Sequence, residues 1–192
     1  MQKLILASSS PYRAELLRRI ACDFGQQSPD IDESPLAGEN PDDLVLRLAR
    51  QKAQKVAEQN SHSWVIASDQ VACLGSEILG KPGSHQAAVQ QLTQFSGQCL
   101  EFKTSLCLLN AATQWMQCDQ VDTRVKFRQL EAHEIEAYLL KEQPYDCAGS
   151  FKCEGLGINL FESVQSNDPT ALVGLPLISL CSMMRKAGIF SI

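Results

Sequence analysis

The sequence predicts an α/β fold, in which one mixed, twisted sheet is flanked by helices within a single domain over residues 1–192. The apolar run at residues 4–7 leads directly into a helix that begins at Pro11. Residues 100–109 and 120–127 partly alternate apolar and polar side chains, as antiparallel strands with one solvated face do. Amphipathic segments with helical spacing lie between the strands, and no repeat or low-complexity linker interrupts the chain.

The predicted helices have clear start signals. Ser10 before Pro11 and Asn40 before Pro41 combine a capping side chain with a proline, whose missing N–H has no partner in the first helical turn. Ser84 is the expected cap of a third helix. The helices with predicted bounds span residues 11–20, 85–95, 131–142 and 177–188.

Shorter apolar runs predict the remaining strands. Residues 64–67 form a buried strand that is expected to end at Ser68, Asp69 and Gln70. Residues 71–74 and 77–79, separated by Gly-Ser, predict a hairpin. A further strand is expected over residues 158–161, and the polar, proline-containing residues 26–35 are expected to form a loop.

The charge balance argues against a nucleic-acid duplex as the main partner. Seventeen Lys and Arg face 22 Asp and Glu, giving a net charge of −5 without any basic stripe. The longest apolar stretch, residues 171–181, contains Gly174 and Pro176 and is too short to cross a bilayer. The N-terminal apolar run is too short for a signal peptide, so we expect a cytoplasmic location.

The eight cysteines do not form a recognisable framework. They are scattered without a C-x-x-C pair, which argues against a zinc site. We expect them to be reduced, small core residues: Cys22, Cys73, Cys99, Cys107, Cys118, Cys147, Cys153 and Cys181.

The turn that follows the first strand predicts an anion site. The hydroxyls of Ser8 and Ser10, the guanidinium of Arg13 and the free N–H groups of the first helical turn should converge on one volume, which attracts phosphate. An ordinary capped helix after a buried strand would explain the same residues equally well.

Other polar residues near predicted strand ends extend this site. Lys52, Lys81 and Lys152 can neutralise a polyphosphate, and Glu33 and Asp69 are hard oxygen ligands for a divalent cation such as Mg²⁺. Together they suggest metal-assisted attack of water on a phosphoanhydride. Each residue also has a plain structural explanation, such as a turn cap for Asp69 or a solvated surface position for Glu33.

Seven motifs in order along the chain resemble the Maf family of nucleoside triphosphate pyrophosphatases. Any one of them is weak evidence, but all seven in register are specific. They are residues 4–13, Asp32-Glu33, Leu48-Ala49 with Lys52-Ala53, Ser68-Asp69-Gln70, Gly80-Lys81-Pro82, residues 149–155 and residues 168–176.

The resemblance implies an elongated fold with a deep nucleotide-binding groove, similar to that of the inosine triphosphate pyrophosphatases. It implies hydrolysis between the α and β phosphates, with Mg²⁺ or Mn²⁺ as cofactor. Asp69 would activate water, and Glu33 with Asp69 would hold the metal. The substrate-binding residues would be Ser8, Ser10, Arg13, Lys52, Lys81 and Lys152.

Three positions resemble the branch of the family that acts on 7-methyl-GTP. Branches that act on dTTP and UTP carry Arg, Thr and Gln where this chain has Tyr12, Gln70 and Glu154. The 7-methyl-GTP branch usually has Trp at the first position, so Tyr12 is a departure that keeps an aromatic face. A methylated guanine is cationic and stacks well on such a face, while a carboxylate accepts from its N–H groups.

Two alternatives stay open at this point. The chain could act on dTTP or UTP, or it could be a nucleotide-binding regulator of cell division or septum formation, a role to which Maf-like proteins have been linked. The carboxylate pair favours an enzyme, because a binding protein would gain little from negative charge beside a triphosphate. A homodimer is also plausible.

Overall fold

The computed structural model of the protein describes residues 3–21 and 23–189. Five helices and seven strands occur within these residues. The helices are α1 (Pro11–Arg18), α2 (Pro41–Ala57), α3 (His85–Phe95), α4 (Ala132–Glu142) and α5 (Leu177–Lys186). The strands are β1 (Lys3–Ala7), β2 (Gly25–Gln27), β3 (Ser63–Leu74), β4 (Glu77–Leu79), β5 (Cys99–Asn110), β6 (Met116–Phe127) and β7 (Phe161–Ser166).

The strands form one mixed sheet in the order β2-β1-β3-β5-β6-β7, with β4 paired to β3. β1 is parallel to both β2 and β3, whereas the β3–β4 and β6–β7 pairs are antiparallel. The predicted α/β class with a mixed sheet is confirmed. The elongated shape, the deep groove and the single domain stay predictions.

Contacts within the described residues divide the chain into two compact units. The first unit contains residues 1–69, 104–121 and 168–192, apart from the undescribed positions. The second contains residues 70–103 and 122–167.

In the first unit, alternation along the strands places helices on both faces of the sheet. Leu6 and Ile66 belong to one buried cluster, which includes apolar residues of α1 and α5. Ile5 and Val65 belong to another, which includes Ala49 and other residues of α2. Because successive strand side chains point to opposite faces, two core layers form from consecutive residues.

The second unit has an aromatic core. Phe151 contacts the rings of Phe102, Phe127 and Phe161, with ring centroids 5.4, 5.7 and 4.8 Å away. Phe95 packs on Phe127 at 5.7 Å. Edge-to-face arrangements of this kind stabilise a core beyond the burial of apolar area.

The predicted helix starts are confirmed. The Ser10, Asn40 and Ser84 side chains each accept a hydrogen bond from the backbone N–H three residues later. The hairpin is also confirmed, since Ala72 pairs with Leu79 across β3 and β4.

Three strand predictions are wrong. β3 does not end at residues 68–70 but continues to Leu74, because its last three residues pair with β4. Residues 156–160 form a 3₁₀ helix, so the last strand begins only at Phe161. Part of the predicted loop is strand β2, whose polar residues pair with β1.

The expectation that the cysteines are reduced is wrong for Cys107 and Cys118. They form a disulfide between neighbouring strands β5 and β6, with Cα atoms 4.2 Å apart. Sequence spacing does not reveal this pair, because only strand pairing brings the two residues opposite each other. Cys22 lies outside the described residues. The free cysteines are Cys73, Cys99, Cys147, Cys153 and Cys181.

Candidate active site

The parallel register of β1 and β3 explains why the candidate residues of the first unit meet. Leu6 pairs with Ile66, so the turn at Ser8 follows β1 at the level where Ser68 and Asp69 follow Ile66. The carboxyl end of β1 therefore lies beside Ser68 and Asp69 in the middle of β3, and the segment after the carboxyl end of a parallel strand is a usual place for a ligand in α/β proteins.

Lys52 joins the two carboxylates that the sequence singles out. Its Nζ lies 2.6 Å from Oδ1 of Asp69 and 2.7 Å from Oε1 of Glu33. Lys52 and Asp69 are each 5% exposed, whereas the Glu33 side chain is 59% exposed. The structure thus brings Glu33 and Asp69 together, 36 positions apart in sequence, with the ammonium between a buried and a solvated carboxylate.

Arg47 anchors the loop that carries Glu33. Its guanidinium donates to both carboxylate oxygens of Glu39, at 2.6 and 2.7 Å, and to the Ser34 carbonyl at 3.0 Å. This bidentate pair lowers the pKa of Glu39 from 4.5 to about 2, chiefly through the hydrogen bonds from Arg47. Arg47 also donates to the side chain of Gln51, so both residues have structural roles.

The β1–α1 turn forms a compact hydroxyl and guanidinium cluster. The Ser8 hydroxyl accepts from the Ser10 N–H at 3.1 Å and from Nη1 of Arg13 at 3.4 Å. Burial lowers the pKa of Arg13, while the negative charges of Asp69 and Glu33 raise it. A guanidinium stays protonated in proteins, so Arg13 is a permanent cation here.

Tyr12 lies on the first turn of α1, next to Arg13, and is half-buried. Ser8, Ser10, Arg13, Lys52, Glu33 and Asp69 complete the part of the predicted site that belongs to the first unit.

The second unit contains the other four predicted residues. Gln70 is half-buried, while Lys81 and Glu154 are exposed. Nζ of Lys152 lies 3.4 Å from the Glu142 carbonyl at the end of α4, and its backbone N–H donates to the Tyr138 hydroxyl.

Gln91 ties two of the predicted motifs of the second unit together. Its side-chain amide donates to the Gly80 carbonyl at 2.9 Å, and its Oε1 accepts from the Ser150 hydroxyl. Lys81 and Lys152 thus lie in segments that are both hydrogen-bonded to Gln91.

The Cys153 thiol donates to Oε2 of Glu154. Burial of the thiol is the larger cause, and the charge of this carboxylate the smaller one, that raises the pKa of Cys153 to about 12.

The donor chemistry of the first unit fits a divalent cation. Glu33 and Asp69 supply two hard carboxylates, and Mg²⁺ commonly binds to one or two carboxylates with substrate phosphates and water. No group of three or more His, Cys, Asp or Glu suited to a metal occurs in the part of the chain that the structure describes.

Sequence reasoning missed three polar residues that support the site. Ser68 and Ser105 are fully buried, and Gln26 donates to the carbonyls of Ser8 and Ser10 at 2.9 and 3.3 Å. The Ser105 hydroxyl donates to the Val45 carbonyl at 2.6 Å. A serine inside an otherwise apolar strand is a usable signal, because buried hydroxyls are nearly always hydrogen-bonded. Gln26 offered no comparable signal.

Comparison with known proteins shows the family of the chain. The family model described as Maf-like protein matches residues 3–187. The chain belongs to the Maf family. None of its helices, in the residues described, is long and apolar enough to span a membrane.

Several curated relatives of this Maf chain share about half of its residues. A 7-methyl-GTP pyrophosphatase of Methylobacillus flagellatus is 54% identical over 98% of both chains. Another, from Albidiferax ferrireducens, is 52% identical over 98% of this chain and 94% of its own length. The solved Ham1 protein of Staphylococcus aureus has a TM-score of 0.47 and 16% identity, covering 66% of this chain and 72% of that one. This last similarity is too low to support an argument.

Proposed function

We propose that this Maf protein is a nucleoside triphosphate pyrophosphatase that hydrolyses 7-methyl-GTP to 7-methyl-GMP and pyrophosphate. One observation carries the proposal: the carboxylates of Glu33 and Asp69 meet at the Lys52 ammonium within one unit. The names of relatives that are more than 50% identical over nearly the whole chain support the substrate.

Asp69 is the proposed general base. It would accept a proton from the water whose oxygen attacks the α phosphorus, while the bond from that phosphorus to the α–β bridging oxygen breaks and pyrophosphate leaves. Arg13, Lys52, Lys81 and Lys152 would neutralise the phosphate oxygens, and the Ser8 and Ser10 hydroxyls would donate to them.

A divalent cation, Mg²⁺ or Mn²⁺, belongs to the proposal as cofactor. Glu33 and Asp69 would hold it, and when bound it would stabilise the negative charge on the phosphate oxygens. Without it, the same two carboxylates would repel a triphosphate, which is why their presence favours catalysis over binding alone.

Tyr12, Gln70 and Glu154 are the proposed specificity residues. The ring of Tyr12 would stack on the cationic base, and Glu154 would accept from the guanine N1–H and amino group.

We also propose a cytoplasmic location on the basis of the nucleotide substrate. The Cys107–Cys118 disulfide is more typical of oxidising compartments, so cell fractionation is the appropriate test.

A nucleotide panel tests the proposed function. Purified protein is incubated with 7-methyl-GTP, GTP, dTTP and UTP in the presence of Mg²⁺ or Mn²⁺, and released pyrophosphate is measured. We expect the highest kcat/KM for 7-methyl-GTP. Faster release from dTTP or UTP would contradict the substrate, and nucleotide binding without pyrophosphate release from any substrate would favour a regulator.

Two variants assign the roles. Asp69→Asn should lower kcat at least about 100-fold while nucleotide binding is largely kept, because the base is lost and not the phosphate contacts. Asp23→Asn makes the same chemical change at an exposed position and should leave kcat unaltered.

Glu154→Gln should reduce the preference for 7-methyl-GTP over GTP, and an unchanged preference would remove Glu154 from base recognition.

A further inference from the structure

The carbonyl of Gly174 accepts a hydrogen bond from a cation of the candidate site, Nε of Arg13, at 2.9 Å. The Ser68 hydroxyl, one residue before Asp69, lies 2.8 Å from the same carbonyl and 2.6 Å from the Ser105 carbonyl, so its one proton has two acceptors within reach. Arg13, Ser68 and Gly174 come from α1, β3 and the segment before α5, which are far apart in sequence. Such a shared acceptor fixes the direction of a guanidinium far better than a charge contact does, since hydrogen bonds are directional.

The backbone at Gly174 requires glycine. Its φ of +112° lies in the region that side-chain-bearing residues rarely adopt. A β carbon built here would lie 3.2 Å from Nε of Arg13, the same nitrogen that donates to the Gly174 carbonyl. The absence of a side chain thus permits both the backbone turn and the close approach of Arg13.

The segment around Gly174 is itself held in place. Its N–H donates to the Ala171 carbonyl at 2.9 Å, and the Thr104 hydroxyl donates to the same carbonyl at 3.1 Å. On the other side, Leu175 is fully buried in the core. These contacts on both sides hold the Gly174 carbonyl in one position, so the hydrogen bond that it accepts fixes the position of the Arg13 guanidinium.

We propose that Gly174 is a positioning residue for phosphate binding, acting through Arg13. Nε is committed to the Gly174 carbonyl and Nη1 contacts the Ser8 hydroxyl at 3.4 Å, so the guanidinium plane is fixed at two of its nitrogens. A guanidinium fork binds phosphate best when its plane is fixed, and its other N–H groups would donate to the ligand. This inference rests on the proposed function for the nature of the ligand, a triphosphate chain.

Calorimetric titration with inorganic triphosphate and Mg²⁺ tests this proposal without requiring turnover. Gly174→Ala and Arg13→Ala should each weaken triphosphate binding about tenfold or more, the cost of a misplaced charge-assisted hydrogen bond. The double variant should bind no more than about twofold more weakly than Arg13→Ala, since the Gly174 effect passes through Arg13. Losses that multiply in the double variant would overturn the proposal.

Gly188 provides the matched control. It also has a positive φ, +67°, but a β carbon there would meet nothing within 4 Å. Gly188→Ala should therefore show the backbone strain as a lower Tm while binding triphosphate like the unchanged protein. Equal affinities for Gly174→Ala and Gly188→Ala would overturn the proposal.

Arg13→Lys tests the same contact if Gly174→Ala does not fold. Lysine keeps the positive charge but has no Nε–H of this geometry, so we expect an affinity for triphosphate close to that of Arg13→Ala. An affinity equal to that of the unchanged protein would overturn the proposal.

Triphosphate binding without pyrophosphate release from any nucleotide would overturn only the proposed function. Absence of triphosphate binding by the unchanged protein would overturn the positioning role.

Discussion

Lys52 lies between two carboxylates, in the place where a divalent cation would otherwise neutralise them. Its stem is buried on α2, and its ammonium reaches Asp69 and Glu33 at 2.6 and 2.7 Å. A lysine in this position keeps the two negative charges close together in the absence of ligand. It would also compete for the same oxygens with the metal ion of the proposed function.

Lys52→Met should separate these two effects. We expect tighter Mn²⁺ binding in the absence of nucleotide, because the two carboxylates lose their positive partner, together with a fall in kcat of about 100-fold from the lost phosphate contact. Electron paramagnetic resonance measures free Mn²⁺ for the first effect, and pyrophosphate release measures the second.

Lys55→Met is the control for this change, since Lys55 is an exposed lysine on the same helix. It should alter neither measurement. Unchanged or weaker Mn²⁺ binding in Lys52→Met would show that Glu33 and Asp69 do not form the metal site.

At the scale of elements, the segment between β7 and α5 is organised by Asp168. Its Oδ2 accepts from the Ile178 N–H at 2.6 Å, at the start of α5, and its Oδ1 accepts from the Thr170 hydroxyl at 2.7 Å. The sequence alone left the role of Asp168 open. The structure shows a buried carboxylate at a helix N-terminus, where unpaired N–H groups and the helix dipole both favour negative charge.

Asp168→Ala should lower the free energy of unfolding by about 2 kcal/mol, because the first turn of α5 loses its acceptor. Asp168→Asn loses the charge and one of the two acceptor oxygens but keeps one oxygen that can accept from the Ile178 N–H, so its loss should be smaller, about 1 kcal/mol. Urea denaturation at neutral pH measures both values. Equal losses from the two variants would contradict a capping role that depends on the acceptor.

At the scale of the whole molecule, one strongly paired glutamate in each unit predicts the acid response. Arg128 donates to both oxygens of Glu134 at 2.9 Å, as Arg47 does to Glu39. In each pair, the hydrogen bonds from the arginine lower the pKa of its glutamate from 4.5 to about 2.

The sign of the pH effect follows from these values. A folded-state pKa below the unfolded one stabilises the protein fully above the unfolded pKa, and the benefit disappears as pH falls toward the folded pKa. Stability should therefore decrease between about pH 5 and about pH 2. Urea denaturation across this pH range measures the free energy of unfolding. In Glu39→Gln and in Glu134→Gln this free energy should fall less between about pH 5 and about pH 2 than in the unchanged protein, whereas the exposed control Glu58→Gln should behave like the unchanged protein. An unaltered acid response in both variants would contradict the assignment.

Two predictions about partners also concern the whole molecule. The prediction that a nucleic-acid duplex is not the main partner rests on the net charge of −5, because like charges repel. The expected homodimer stays a prediction that light scattering can test.

The sequence by itself determined the features that depend on neighbouring residues. Helix starts at Ser10, Asn40 and Ser84 follow from capping chemistry within one turn, and the β3–β4 hairpin follows from a short turn between apolar runs. The family motifs along the chain also supplied the predicted residues of the candidate site, and their roles stay predictions.

Only the tertiary structure decided which distant residues meet. Arg13 and Gly174 are 161 positions apart, and neither a cap nor a periodicity links them. The same holds for the disulfide of Cys107 with Cys118 and for β3, which continues past Ser68 as a member of the sheet between β1 and β5. Local sequence patterns encode interactions within a few residues, whereas partners across a sheet depend on strand order and register, which are fixed when the whole core packs.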